Sequence, residues 1–365
     1  MSIPFNDREF AEAAAVASGY IRITMKNAFS GRFALAGIFL FLAAPFVFAD
    51  SPLSRTEQVL WTSCTITLYD HADPAILDAV FARLHEIDSR LSVNIKGSEL
   101  DAASDAAGKT AVHVSSDVRV VIDKALQLAA LTNGLFDPTV GPLMKVWNMN
   151  TGNGRIPEPA QIAEVKGLVN WRDVVLDSAA GTLFVKRAGM RLDAGGLLKG
   201  YAADEVVSIL SARGVKNAIV DLGGDIFAKG SRSDGAPWQI GIQNPDEDEG
   251  VTLGVVAAVD KSVVTSGVYE HYFVQNGKRY SHIMDTRTGG PVDNGLTSVT
   301  VIADKSIDAD GIALSIFCLG TVDGLALAAK LGVDTVIVTS DDRLYVSDGA
   351  KRLLTVTDPR FIFAQ

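Results

Sequence analysis

The chain has 365 residues, 48% hydrophobic and 21% charged, with a formal net charge of −10. That much apolar chain builds a large core and excludes disorder for the bulk. Two cysteines and an ordinary glycine content exclude a disulfide scaffold or a collagen-like chain, and the acidic balance argues for no nucleic-acid partner, which would need a basic surface.

Residues 33–49, FALAGIFLFLAAPFVFA, are the only long uncharged apolar run; Lys26 and Arg32 precede it and Ala49 closes it. A positive region, an apolar stretch and a small exit residue describe a secretory signal, expected to be cleaved rather than retained as an anchor. Residues 1–49 therefore read as an N-terminal extension plus signal peptide, with Met25 a natural start. Residues 50–365 read as one domain, exported to the periplasm or the outer face of the inner membrane. Cys64 and Cys318 lie in apolar segments and are expected to be buried and unpaired.

Residues 58–69 end in a β-rich run and read as a first strand. Pro74, after Asp73, suits the first position of a helix, and Ile76, Leu77, Val80, Phe81, Leu84, Ile87 and Leu91 repeat at helical spacing. A second helix is expected from Ser116 to Asn133, capped by Ser116 or Asp117 and stopped by Gly134. Phe136–Pro142 (FDPTVGP) reads as an ordered loop and 151–163 as a surface loop. Strands are expected near 173–177 and 182–186, then a helix ending near Gly214, then a buried strand at 216–222. WQIGIQ alternates as a strand does. EHYFVQ and KRYSHIM flank Asn276-Gly277, a hairpin signal. A strand at 298–303, helices at about 308–319 and 322–331, and a β pair at 333–339 and 343–347 complete the chain. Helices interleaved with antiparallel-looking strands give an α+β class without a clear internal boundary.

Nucleotide-loop and zinc motifs are absent: there is no GxGxxG after a strand, no GxxxxGK[ST], no HExxH and no CxxC, and the five histidines show no metal spacing. Four clusters remain. Asp193-Ala-Gly-Gly-Leu-Leu-Lys199-Gly joins glycines, a helix start and a lysine, as an anion site does; it also reads as a glycine-rich turn with a solvated lysine. Asp221-Leu-Gly-Gly-Asp225 ends a strand and reads more simply as a turn. Arg279–Pro291 (RYSHIMDTRTGGP) crowds charged groups and His282 onto a hairpin strand and its exit. Asp308-Ala-Asp310 opens an apolar helix; such carboxylates commonly cap, and they equally hold Mg²⁺.

Taken together, FDPTVGPL, LDAGGLLKGYAAD, AIVDLGGDI, RYSHIMDTRTGGP and ADGIALSIFCLG, in this order, resemble the ApbE family of FAD:protein FMN transferases across about residues 58–347. The resemblance implies an α+β, T-fold-like architecture of mixed and antiparallel sheets with flanking helices, and a FAD cleft between two lobes. It implies FAD as substrate, Mg²⁺, and transfer of FMN to a threonine hydroxyl with release of AMP. The acceptor would be a flavoprotein or membrane redox-complex subunit carrying a threonine flavinylation motif. By resemblance the metal is held by the Gly196 carbonyl, Asp310 and position 314. Asp310, Lys199 and His282 would be the catalytic residues. Asn94, Leu135, Phe136, Asp137, Asp193, Lys199, His282 and Asp285 would form the FAD site.

Three departures from the family pattern stand out. The third metal ligand is usually a threonine, and here it is Leu314. A glycine usually precedes the threonine of the early strand, and here it is Trp61, which could pack on the flavin or fill core. Many members carry a flavin-stacking tyrosine where this chain has Asn94. An open flavin face makes hydrolysis of FAD to FMN and AMP an alternative activity, and the leucine leaves non-enzymatic flavin binding as another.

Overall fold

The computed structural model describes residues 51–149 and 153–364; the expected extension and signal segment at 1–49 lie outside them. Among the described residues no helix is long and apolar enough to cross a membrane. The chain opens with β1 (Leu53–Val59) and β2 (Thr62–Leu68), paired antiparallel. The single strand expected over 58–69 is thus the end of one strand and the whole of the next. Leu60 and Trp61 turn between them with φ of 57° and 61°, a left-handed pair that neither residue type announces.

Helix α1 (Pro74–Leu91) begins as expected, with the Asp73 side chain accepting from Ala75 N, and it buries all seven residues of the periodic set. The short α2 (Glu99–Asp105) and β3 (Val112–His113) were not expected. Helix α3 (Ser116–Leu131) is capped by Ser115 rather than by Ser116 or Asp117. The loop read over 136–142 ends at Val140, and Gly141 with Pro142 opens α4 (Gly141–Trp147). Helix α5 (Pro159–Lys166) likewise begins inside the expected surface loop.

After β4 (Val174–Asp177) and β5 (Thr182–Val185), α6 (Gly195–Ala212) leads to β6 (Ala218–Leu222) and β7 (Asp225–Lys229). Next come β8 (Trp238–Gln243), β9 (Thr252–Ala258) and β10 (Lys261–Gly267). The hairpin β11 (Tyr272–Gln275) and β12 (Lys278–Ser281) turns at Asn276-Gly277 as expected. Two short strands, β13 (Met284–Asp285) and β14 (Gly290–Pro291), precede β15 (Leu296–Ala303). Helices α7 (Ser306–Leu319) and α8 (Thr321–Leu331) lead to β16 (Asp334–Thr339) and β17 (Arg343–Val346). The chain closes with α9 (Asp348–Leu353), β18 (Leu354–Val356) and β19 (Ile362–Phe363).

Nine strands form the main sheet in the order β1-β2-β6-β7-β10-β15-β16-β17-β19. Its pairs are antiparallel except β17 with β19, so the sheet is mixed. Strand periodicity sends alternate residues to opposite faces. Val264, Val301 and Ile337 join Ile66, Val220 and the inner faces of α1, α3, α6 and α7 in the larger core. Their neighbours Val263, Ile302, Val336 and Val338 face a second core, completed by Trp238, Ile240 and Val256 of the β18-β9-β8 sheet. The α+β class expected from the interleaving is the class observed. Cys64 and Cys318 are both buried and free.

Candidate active site

Helices α6 and α7 carry the centre of the site, and glycine lets them meet. A Cβ added at Gly200 would lie 2.4 Å from the Ser306 carbonyl oxygen and 2.7 Å from Asp310 Cβ; one added at Gly311 would meet Leu128 and Leu197 within 2.5 Å. The Asp204 carboxylate of α6 accepts from Ser306 N (2.8 Å) and Ile307 N (3.2 Å), supplying the cap that α7 lacks in its own chain start.

This contact places Lys199 and Asp310 in one cluster. Asp310 Oδ2 accepts from Gly200 N at 3.0 Å, and Lys199 Nζ lies 3.2 Å from Oδ1 of Asp225, at the start of β7. Both carboxylates are buried. Burial, then repulsion from Asp225, pushes Asp310 up to about 8, against the opposing pull of Lys199 and the Gly200 amide. Burial likewise raises Asp225. Burial alone would lower Lys199, but Asp225, Asp310 and Glu270 outweigh it and hold the ammonium above the ordinary lysine range. One cation thus faces two buried acids, and Asp225 Oδ2 is buried without a hydrogen-bond partner. Two buried carboxyls beside one ammonium, with an orphaned hard oxygen, suit a small divalent cation, whose charge would hold both ionised. Among the described residues no group of three or more His, Cys, Asp or Glu side chains converges. Such an ion would complete its shell with backbone carbonyl, water and phosphate oxygens, as Mg²⁺ ordinarily does.

Gly196 lies in a kink of the first turn of α6, and Leu314 reaches it: an added Cβ on Gly196 would sit 2.4 Å from Leu314 Cδ2. The expected third ligand position therefore contributes hydrocarbon packed over Gly196, and inside a regular helix its carbonyl belongs to the backbone ladder. Ser315 offers no substitute, because its hydroxyl is buried and donates to Gly311 O at 2.7 Å.

Asn94 and Asp193, far apart in sequence, line one cavity of about 210 Å³ together with Lys145 and Arg191. Burial raises Asp193, whose Oδ1 accepts from Gly195 N at 2.9 Å. Phe136 is buried against Gly196, and Leu135 packs on the larger core. Asp137 is fully employed: it accepts from Thr139 N (2.8 Å), Thr139 Oγ1 (2.7 Å) and Trp171 N (2.9 Å). Its role is to hold the loop before α4. Asp137 borders a second cavity, of about 180 Å³, with Thr286 and Arg287. Asp285 is tied to Arg287, whose amide and guanidinium outweigh burial and keep the carboxylate below its usual range. His282 Nδ1 lies 3.1 Å from the His271 carbonyl, and the two rings meet edge to face at 5.3 Å. Burial, then His271, lowers His282 to about 4, so the ring is neutral at pH 7.

Sequence reading singled out the segment of Asp225 but left its carboxylate out of the site, and it did not single out Glu270. Asp225 follows two glycines in a segment that reads as a turn. Its one signal was a carboxylate at the start of a buried strand. Glu270 carried no local signal and is named only by its field on Lys199.

Comparison with known proteins places this fold. The ApbE family profile matches residues 60–337. An FAD:protein FMN transferase of Treponema pallidum is 35% identical over 327 residues, covering 85% of this chain and 90% of its own. One from Klebsiella pneumoniae is 35% identical over 295 residues, covering 80% and 91%. The crystal structure of the ApbE protein from Thermotoga maritima superposes with a TM-score of 0.77 at 30% identity, covering 83% of this chain and 99% of that one. The flavin transferase ApbE of Vibrio cholerae gives 0.76 at 27%, with the same coverage. The architecture is that of flavin transferases, and the class is a transferase enzyme. The chain belongs to the ApbE family.

Proposed function

We propose that this protein transfers FMN from FAD to a threonine hydroxyl of an acceptor protein and releases AMP, with Mg²⁺ bound at Asp310. The observation that carries this reading is the cluster in which Lys199 of α6 faces the buried Asp225 of β7 and Asp310 of α7. In the reaction the hydroxyl oxygen attacks the FMN-side phosphorus, the bond from that phosphorus to the AMP oxygen breaks, and the hydroxyl loses its proton. Lys199, held protonated, would neutralise charge on the pyrophosphate. His282 is neutral, and its Nδ1 can bond the His271 carbonyl only as a donor; this leaves Nε2 bare to accept the hydroxyl proton. Mg²⁺, held by Asp310 and the Gly196 carbonyl with Asp225 beside it, would polarise the phosphoryl oxygens and stabilise the departing AMP. Asn94, Phe136 and Asp193 would wall the flavin.

One observation favours a second outcome. Asn94 is exposed at the cavity it lines and presents no aromatic face, so a flavin there would be open to water on that side and hydrolysis to FMN and AMP would compete. The signal-like segment at 33–49 supports a reaction outside the cytoplasm, where the acceptor would be a flavoprotein or membrane redox subunit of the same compartment.

The test is purified protein with FAD and Mg²⁺, with and without a protein bearing a threonine flavinylation motif, followed by AMP, FMN and acceptor mass. A gain of one FMN on the acceptor supports transfer; free FMN in both tubes shifts the reading to hydrolysis; no AMP in either overturns both. Asp310→Asn is expected to cut AMP release by about 100-fold or more. A variant that turns over normally would sink the metal assignment. Without metal the same variant should be at least as heat-stable as wild type, because a carboxylate raised above its unfolded value opposes folding at pH 7.

A further inference from the structure

Trp61 is 64% exposed, the most open aromatic ring among the described residues. It is not loose. Its Nε1 donates to Ser92 Oγ at 3.2 Å, and Ser92 is buried. The same hydroxyl accepts from Asn94 N at 3.4 Å. One serine thus ties the edge of the indole to the segment that carries Asn94 into the 210 Å³ cavity shared with Asp193. The backbone at Trp61 is also costly for its residue type. With φ at 61°, a conformation that suits glycine, the turn between β1 and β2 carries a bulky side chain. Its neighbour Leu60, also left-handed, is buried and fixes the turn from below. An aromatic ring kept solvent-facing in a strained turn, pinned along one edge and open on its faces, is poised for a flat ligand.

We propose that Trp61 stacks on the flavin ring of the bound substrate, supplying the aromatic face that Asn94 cannot. The inference rests on the flavin site proposed above. Trp61 does not line the cavity itself; its ring stands beside it through Ser92, so a flavin extending from the cavity toward the β1–β2 turn would meet it. The ligand chemistry is a planar, electron-poor heteroaromatic, so recognition resides in the ring and not in the phosphates.

The test is binding of riboflavin, FAD and ADP to the full chain, by calorimetry and flavin fluorescence, for wild type, Trp61→Gly and Trp61→Phe. Glycine fits the φ of this turn, so the variant is chosen to preserve the fold. For Trp61→Gly, riboflavin and FAD affinity should fall about tenfold, in line with loss of one aromatic stack, while ADP affinity stays within twofold. Trp61→Phe should recover most of the loss. Unchanged riboflavin binding in Trp61→Gly overturns the proposal while leaving the transferase reading intact. An equal loss for riboflavin and ADP also overturns it, because that marks a general defect. Wild-type protein that binds no flavin overturns both.

Discussion

Lys199 and Asp310 show what a residue's neighbours do to its chemistry. Each is ordinary in isolation; together with Asp225 they form a cluster of one half-buried ammonium and two buried carboxyls. Gly196, Lys199 and Asp310 were legible because glycines, a lysine and a helix-opening carboxylate sit at recognisable spacing. Asp225 was not, because GGD describes a turn equally well and only the packing of α6 on β7 brings its carboxylate to Lys199. His282 carries a prediction at this scale. Its folded pKa, about 4, lies below the unfolded value, so the unfolded chain takes up the proton first. The stability this histidine contributes is present above about pH 6.5 and is lost as pH falls toward 4. Ring resonances followed by NMR should show His282 titrating near 4; a midpoint near 6.5 would contradict the neutral assignment.

At the scale of elements, long amphipathic helices were the most legible parts of the chain. The seven apolar residues spaced along α1 are the seven it buries. Short elements were the least. Helices α2 and α4 have seven residues each, too few for a periodic pattern to stand out. The β1–β2 turn was read through as continuous strand because Leu60-Trp61 lacks the glycine or asparagine that left-handed turns favour, whereas Asn276-Gly277 announced itself. The α6–α7 contact makes the strongest element-level prediction. At Gly200 an added methyl meets the Ser306 backbone at 2.4 Å, with no flexible side-chain tip to yield. Gly200→Ala should cost about 2 kcal/mol in urea unfolding and displace Asp310, lowering AMP release with it. A variant of wild-type stability and activity would show that the two helices have room to part.

For the whole molecule, acid stability is concentrated where α1, α3 and α6 meet. Buried Asp117 pairs with Arg83 and Arg90, both at 2.7 Å, and accepts from Tyr201 OH at 2.8 Å. Burial alone would raise its pKa, but these partners hold it at about 2, below the model-compound 3.8. A depressed folded value contributes stability that is present above the unfolded pKa and lost as pH falls through the folded one. The difference amounts to about 2 kcal/mol, lost between roughly pH 4 and 2. Asp117→Asn should therefore unfold more easily than wild type in urea at pH 7 by about 3 kcal/mol, since the two arginines lose their buried partner. The gap should narrow toward pH 2, and a gap independent of pH would point to packing instead. Sequence reading offered Asp117 as a helix cap, a role that Ser115 fills.

The amino-acid sequence by itself determined the α+β class, the principal helices and the identity of the glycine, lysine and aspartate motifs, because periodicity, turn chemistry and motif spacing act over a few residues. Only the tertiary structure decided which motifs meet. Asp225 joins Lys199, Leu314 packs on Gly196, Asn94 shares a cavity with Asp193, and Asp137 accepts from Trp171 N. These are contacts between segments tens of residues apart, set by how α6 and α7 pack on the sheet, and no local pattern encodes the distance between them.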